Sequence, residues 1–272
     1  MSRRARSPSP SAHSGTPPWR WAATGALLGG AAAALLWAPA HWLAGAVAWA
    51  SQGQLQFVEP RGTVWNGSAQ WVLTGGAHSR DRMALPGRVQ WQLRPSWSGA
   101  LLRWHADCCM REPWAMAIAP RWGGATLSLP AHESQWPASL LTGLGTPFNT
   151  MEPQGQLRLR SSGLQLQLNA GRLQLSGEAT LEALAVTSRL STVRPLGSYQ
   201  AQLQGGKDEG LASLSVKTLQ GPFFVQGSGQ WVGQRLRFTG EAWAAEGSEA
   251  ALGNLLNIIG QRRGTRSLLS VG

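Results

Sequence analysis

Residues 156–176 read QLRLRSSGLQLQLNAGRLQLS, and their period decides the fold. Leu157 and Leu159 alternate with Gln156, Arg158 and Arg160. Leu164, Leu166 and Leu168 alternate with Gln165, Gln167 and Asn169, and Leu173 and Leu175 with Arg172, Gln174 and Ser176. Strict alternation of this kind marks strands with one apolar and one wet face. Ser162-Gly163 and Gly171 stand between the three runs as turn signals. The same period appears upstream, in Ala69, Trp71 and Leu73 and again in Val89, Trp91 and Leu93. Further breaks fall at Gly75-Gly76, Gly99, Gly123-Gly124, Gly205-Gly206 and Gly233. The spacing predicts a mainly β fold, a meander of antiparallel strands. Its single apolar face must be covered by curling the sheet or by packing sheet on sheet. Asn66-Gly67, between apolar runs, predicts a two-residue type I′ turn joining a strand that ends near Trp65 to one over 68–74.

Two short helices interrupt the strands. Pro137 suits a first helical turn, and Leu140, Leu141 and Leu144 then share a face. Near the end, Ser248 is a candidate cap for a helix with Leu252, Leu255, Leu256 and Ile259 at i, i+3, i+4 and i+7. Arg262 and Arg263 fall where positive charge favours a helix end, and Gly264 reads as its stop.

The amino-terminal part is of another kind. Residues 1–20 are rich in Ser, Pro and Arg and predict a disordered cytoplasmic tail. Residues 21–50 (WAATGALLGGAAAALLWAPAHWLAGAVAWA) hold no Asp, Glu, Lys or Arg. They predict one transmembrane helix over 21–38, with Trp19, Trp21, Trp37 and Trp42 at the interfaces. Pro39 begins a second piece that leaves the membrane at an angle, with Trp42 and Trp49 on one face. Ala48-Trp49-Ala50 resembles a signal-peptidase site, but the apolar run exceeds the roughly 7–15 residues of a signal-peptide core, so an uncleaved anchor is expected. Arg3, Arg4, Arg6 and Arg20 precede the run and no acidic residue appears before Glu59. That bias keeps the amino terminus in the cytoplasm and sends residues 51–272 across the membrane.

The net charge is +11, of which the four leading arginines supply 4. The remaining basic surface lies outside the cytoplasm on this topology, so acidic partners or anionic lipid fit it better than nucleic acid. Cys108 and Cys109 are adjacent. On a strand they face opposite sides, one buried and one exposed, and pair only through a strained ring. An oxidising compartment leaves a vicinal or intermolecular disulfide open. His105, Asp107 and Cys109 share a strand face in that reading and form the one cluster with metal-ligand chemistry, most simply a solvated face. The chain carries no nucleophile elbow, phosphate loop, dinucleotide fingerprint or zinc-protease motif. No catalytic, cofactor-binding or metal-ligating residue is therefore assigned, and no enzyme is expected.

Four stretches carry a family resemblance: Gly62-Thr63-Val64-Trp65-Asn66-Gly67-Ser68-Ala69, residues 85–91 (LPGRVQW), residues 236–242 (LRFTGEA) and residues 255–264 (LLNIIGQRRG). In order and spacing the chain resembles protein N of the bacterial type II (general) secretion pathway. The resemblance implies a single-pass inner-membrane protein with a β-rich periplasmic domain. It would serve as an accessory part of the machine that exports folded proteins across the outer membrane, in contact with other inner-membrane components. Two functions follow. The protein works by protein–protein contact, or its leucine-lined face forms a groove for lipid or acyl chains.

Overall fold

The computed structural model describes residues 19–76, 79–169, 172–206, 211–233 and 235–272. Most of the expected tail lies outside them. The chain divides into two compact units, residues 1–38 and 39–272.

The first unit contains helix α1 (Trp19–Leu36), none of whose residues is buried. The transmembrane helix expected here does not take the expected form. Among the described residues, no helix is long and apolar enough to cross a membrane. Eighteen residues rise about 27 Å, against about 30 Å of hydrocarbon, and the first turn holds Arg20. Helix α1 ends at Leu36, just ahead of Pro39, whose ring and missing N–H do not continue a helix.

In the second unit, helix α2 (Ala40–Ala50) packs on β1 and β2. Ala40 is buried with Ala69 and Trp91, and Leu43 and Phe57 close around them. Trp42 and Trp49 remain exposed.

The rest of this unit is one antiparallel sheet of sixteen strands. In chain order they are β1 (Leu55–Gly62), β2 (Asn66–Thr74), β3 (Arg82–Ala84), β4 (Val89–Ser96), β5 (Gly99–Ala106), β6 (Trp114–Arg121), β7 (Gly124–Leu129) and β8 (His132–Pro137). A 3-10 helix (Ala138–Leu144) and α3 (Phe148–Met151) follow. Then come β9 (Gln154–Asn169), β10 (Arg172–Thr187), β11 (Gly197–Gln204), β12 (Ser213–Gln220), β13 (Phe223–Val232) and β14 (Arg235–Ala244). Helix α4 (Glu249–Ile259) precedes β15 (Gln261–Arg263) and β16 (Arg266–Val271). Neighbours in the sheet are almost always neighbours in the chain, as a meander requires. The path runs from β1 to β15 without closing; β3 lies beside β2, and β8 beside β9.

The 156–176 region folds as the alternation dictates, with one difference. Ser162-Gly163 is not a turn: β9 runs straight through it, and the turn falls after Asn169. Leu129 pairs with Leu164 and His132 with Ser161, so β7 and β8 keep one register along β9 and form a single strand interrupted at Pro130-Ala131. Gly163 pairs with Glu178 and Gly177 with Leu164, beside the β9–β10 register irregularity; a Cβ on Gly177 would stand 2.0 Å from the Gly163 oxygen.

The sheet curls, and its tryptophans show how far. β2 and β8 are four strand spacings apart, about 19 Å across a flat sheet. Yet the rings of Trp71 and Trp136 are 6.5 Å apart, with Trp104 stacked between them at 4.8 and 6.0 Å. Around this stack the first core forms from Leu85, Val89, Ala106, Cys109, Met110, Trp114 and Leu140. Leu140 faces inward as predicted, whereas Leu144 is exposed. A second core lies under α4, whose Leu252, Leu255 and Leu256 are fully buried against Leu196, Phe223 and Ala242.

Two helix-end assignments change. Ser248 occupies the cap position but its side chain makes no capping bond. Arg262 and Arg263 are in β15 rather than the helix's last turn, and Gly264 (φ +63°) is in the β15–β16 turn. The buried Ser267 hydroxyl instead donates to the Leu256 carbonyl, at 2.6 Å, satisfying one carbonyl of the helix end.

The Asn66-Gly67 turn is also corrected. Both residues belong to β2, and the connection is Thr63–Trp65, entered from Gly62 at φ +85°. The Asn66 amide donates to Thr63 Oγ1 (3.1 Å), and the Trp91 indole N–H donates to the Val64 carbonyl (3.1 Å). Gly67 lies under that indole. A Cβ there would stand 2.6 Å from Trp91 Cζ2 and 2.6 Å from the Arg61 oxygen. Gly67→Val is expected to destabilise the β unit by about 1–3 kcal/mol through overpacking rather than turn strain. In urea titrations its midpoint falls, while that of Asn66→Ala stays near wild type.

His132 stacks on Trp114, with ring centres 4.6 Å apart and planes 8° from parallel. Burial lowers its pKa below the ordinary 6.5, with Glu112 partly opposing the shift. A folded-state value below the unfolded one contributes stability above pH 6.5, lost as pH falls through the folded value. His132→Phe keeps the stack and removes the proton site. The variant is expected to lose less thermal stability than wild type as pH drops from neutral into the mildly acidic range.

Candidate functional site

The cluster that the sequence offered for chemistry is held apart from metal binding. His105 lies near the end of β5, and the residues after Ala106 turn rather than continue the strand, so the shared strand face does not exist. His105 Nε2 is 3.2 Å from Asp107 Oδ1. Cys108 and Cys109 are joined to each other in a vicinal disulfide, which leaves the Cys109 sulfur unable to act as a thiolate ligand. The turn is fixed by Cys109 and Met110 amides donating to the Ala106 carbonyl, both at 3.0 Å, and by the Gln135 amide donating to the Cys109 carbonyl at 2.9 Å. Cys109 is buried and Cys108 exposed. Among the described residues there is no group of three or more His, Cys, Asp or Glu that could hold a metal ion.

Paired charges are found on the wet face instead. Glu133 on β8, Arg158 and Arg160 on β9 and Glu182 on β10 form a four-residue ion network with separations of 3.5–3.8 Å. Farther along, Arg266 donates to Glu241 at 2.7 Å and lies over the Trp243 ring, 5.1 Å from its centre. That hydrogen bond holds the Glu241 carboxyl below its usual pKa. Tyr199 is partly buried, and that burial raises its pKa; its hydroxyl donates to the Phe223 carbonyl at 3.1 Å. Each of these groups is spent on another strand of the sheet.

The apolar face is less complete. Cross-strand pairing places Ala100, Ile118, Leu127, Leu166 and Leu175 in one row over five neighbouring strands. None of the three buried clusters includes these side chains, and Ile118 and Leu168 are well exposed. On the opposite face, where β7 breaks into β8, an open groove of about 570 Å³ forms, lined in part by Leu101, Ala117, Ser128, Gln165 and Ser176, which pair in turn across the same strands. Sequence period alone placed Leu164, Leu166 and Leu168 on one face; it could not say that the buried clusters stop short of Leu166 and Leu168.

The family model for type II secretion system (T2SS), protein N, matches residues 53–268, which is most of the chain and nearly all of the sheet. Comparison with curated proteins and with solved structures gives no match. The match takes in all four resembling stretches noted in the sequence, and the chain belongs to the type II secretion system protein N family.

Proposed function

We propose that the protein is an accessory component of the type II secretion machine that is tethered to the inner membrane and works by contact, not by chemistry. Helix α1 is the tether, with the arginine-rich amino terminus on the cytoplasmic side and the β unit in the periplasm. The charge bias ahead of α1 and its exposed Leu27, Leu28, Leu35 and Leu36 support this placement. A short apolar helix is accommodated by local thinning of the bilayer. The observation that carries the contact reading is the row from Ile118 to Leu175, a partly exposed apolar strip of an open sheet that none of the buried clusters takes in. Other inner-membrane components of the machine are the partners that such a strip serves. A second reading, a lipid or acyl-chain groove, is favoured by the purely aliphatic side chains of that row.

Leu166→Asp separates surface from core. Leu166 is only partly buried, so the variant is expected to fold, with a melting temperature near wild type, and to lose secretion. Leu255→Ala, in the fully buried stripe of α4, is expected to cost about 2–5 kcal/mol of stability. Removing the disulfide with Cys108→Ser and Cys109→Ser, or His105→Ala, should leave secretion close to wild type. Loss of secretion by the folded His105→Ala variant would refute the contact reading. Lipid found by mass spectrometry on the purified chain, and absent from Leu166→Asp, would favour the groove. An active alkaline-phosphatase fusion after Gly272 checks the periplasmic placement.

A further inference from the structure

All pairings along the sheet path are antiparallel, so strand directions alternate from β4 onward. The β4–β5, β6–β7, β9–β10, β11–β12 and β13–β14 turns therefore all open at the same end. The opposite end holds the 188–196 connection and the turn containing the disulfide. The turn end is unusual for what it exposes. Trp97 ends the β4–β5 hairpin and Trp122 the β6–β7 hairpin, with relative exposures of 108% and 105%. Neither indole contributes to packing. The hairpins are two strand spacings apart, so the two rings stand on the order of 10 Å from each other. Leu168 and Val232, near the next tips, are exposed as well.

Around the β4–β5, β6–β7, β9–β10 and β13–β14 turns the charge has one sign, while the β11–β12 connection adds Lys207, Asp208 and Glu209. Arg94, Arg121, Arg235 and Arg237 are exposed there. Residues 93–101, 118–127, 166–175 and 230–237 contain no Asp or Glu. Fully exposed indoles among arginines match the headgroup zone of an anionic bilayer, where indole favours the interface and guanidinium pairs with phosphate. The chain itself enters the β unit at this end. Pro39, its first residue, bridges to Thr63 in the β1–β2 connection, and the Trp65 carbonyl accepts from the Leu93 amide just below the Trp97 hairpin.

We propose that the hairpin end carrying Trp97 and Trp122 is a membrane-docking surface that seats on anionic phospholipid, the indoles in the interface and Arg94, Arg121, Arg235 and Arg237 against phosphate. Seated this way, the partly exposed aliphatic row opens toward the lipid. The choice of the inner membrane rests on the tether reading above, but the docking itself does not.

The test labels the full chain with an environment-sensitive fluorophore through Trp97→Cys or Trp122→Cys; the native cysteines are already bonded to each other. Labels at Thr192→Cys, at the opposite end, and at Ala32→Cys in α1 serve as references. The chain is added to vesicles of phosphatidylethanolamine with phosphatidylglycerol, or with phosphatidylcholine instead. Labels at 97 and 122 are expected to brighten several-fold with phosphatidylglycerol and to be quenched by a lipid-borne quencher. The label at 192 should stay water-like. Arg94→Glu combined with Arg121→Glu should reverse most of the gain. Labels at 97 and 122 that remain as water-like as the one at 192 overturn the proposal, even if position 32 enters lipid. Labels already shielded in lipid-free solution also overturn it, because a second copy then covers the end. Position 32 in water with 97 and 122 in lipid supports docking and removes the tether.

Discussion

The stack of Trp71, Trp104 and Trp136 is the contact on which the rest of the sheet depends. A meander of hairpins fixes only neighbours; nothing in the pairing of adjacent strands says how far the ribbon must bend. Three indoles from β2, β5 and β8, within 6.5 Å of one another, set that bend for the first half. Aromatic faces at these spacings add a geometric preference to the burial of large apolar areas. With the curl fixed, Leu85, Met110 and Leu140 have something to close against, and Trp114 carries His132 into the same core. The second half has no such stack and uses α4 in its place. Its three leucines cover Phe223 and Ala242, strands that would otherwise face water.

This division accounts for the five tryptophans packed inside the first half, Trp71, Trp91, Trp104, Trp114 and Trp136, and for the leucines of α4 in the second. Thirteen of the fifteen tryptophans lie at or before residue 136. Where a sheet must bend tightly upon itself, wide flat side chains fill the inside from a single strand. Where a helix can be laid on top, smaller branched side chains interdigitate with it at native density.

Much of this was legible in the residues. Period-two alternation over 156–176, 68–74 and 88–94 marked strands there, because a one-residue slip would turn every leucine to the wrong face. The leucine stripe of α4 was equally plain. The errors have a common source in signals that are local but were decided at a distance. Asn66-Gly67 has turn chemistry, yet Gly67 is there to admit the Trp91 ring, a contact twenty-four residues away in sequence. Ser162-Gly163 reads as a break, yet its backbone irregularity answers Pro130 on one side and Gly177 on the other. Arg262 and Arg263 looked like helix-terminal charges because nothing in their spacing announces a three-residue strand. The disulfide between Cys108 and Cys109 was one of several states open to adjacent cysteines, and a turn, not a strand, allows it. No pattern in the chain marks where a cover stops, so the partly exposed aliphatic row could be read only from the structure.

The near-perfect agreement between strand order and chain order has a consequence for how the molecule is made. Each hairpin finds its partner within a few residues, so loop-closure entropy is small at every step and the sheet can grow by addition at one edge. A chain emerging from its amino terminus can thus assemble vectorially, β1 through β14, before its last residues exist. Only then do α4 and β16 arrive, and with them the leucines that cover the second core. Until that moment the growing edge and the face around Phe223 stand open. The interval is an exposure that any chaperone of the compartment would meet, and the final two dozen residues act as the latch that ends it.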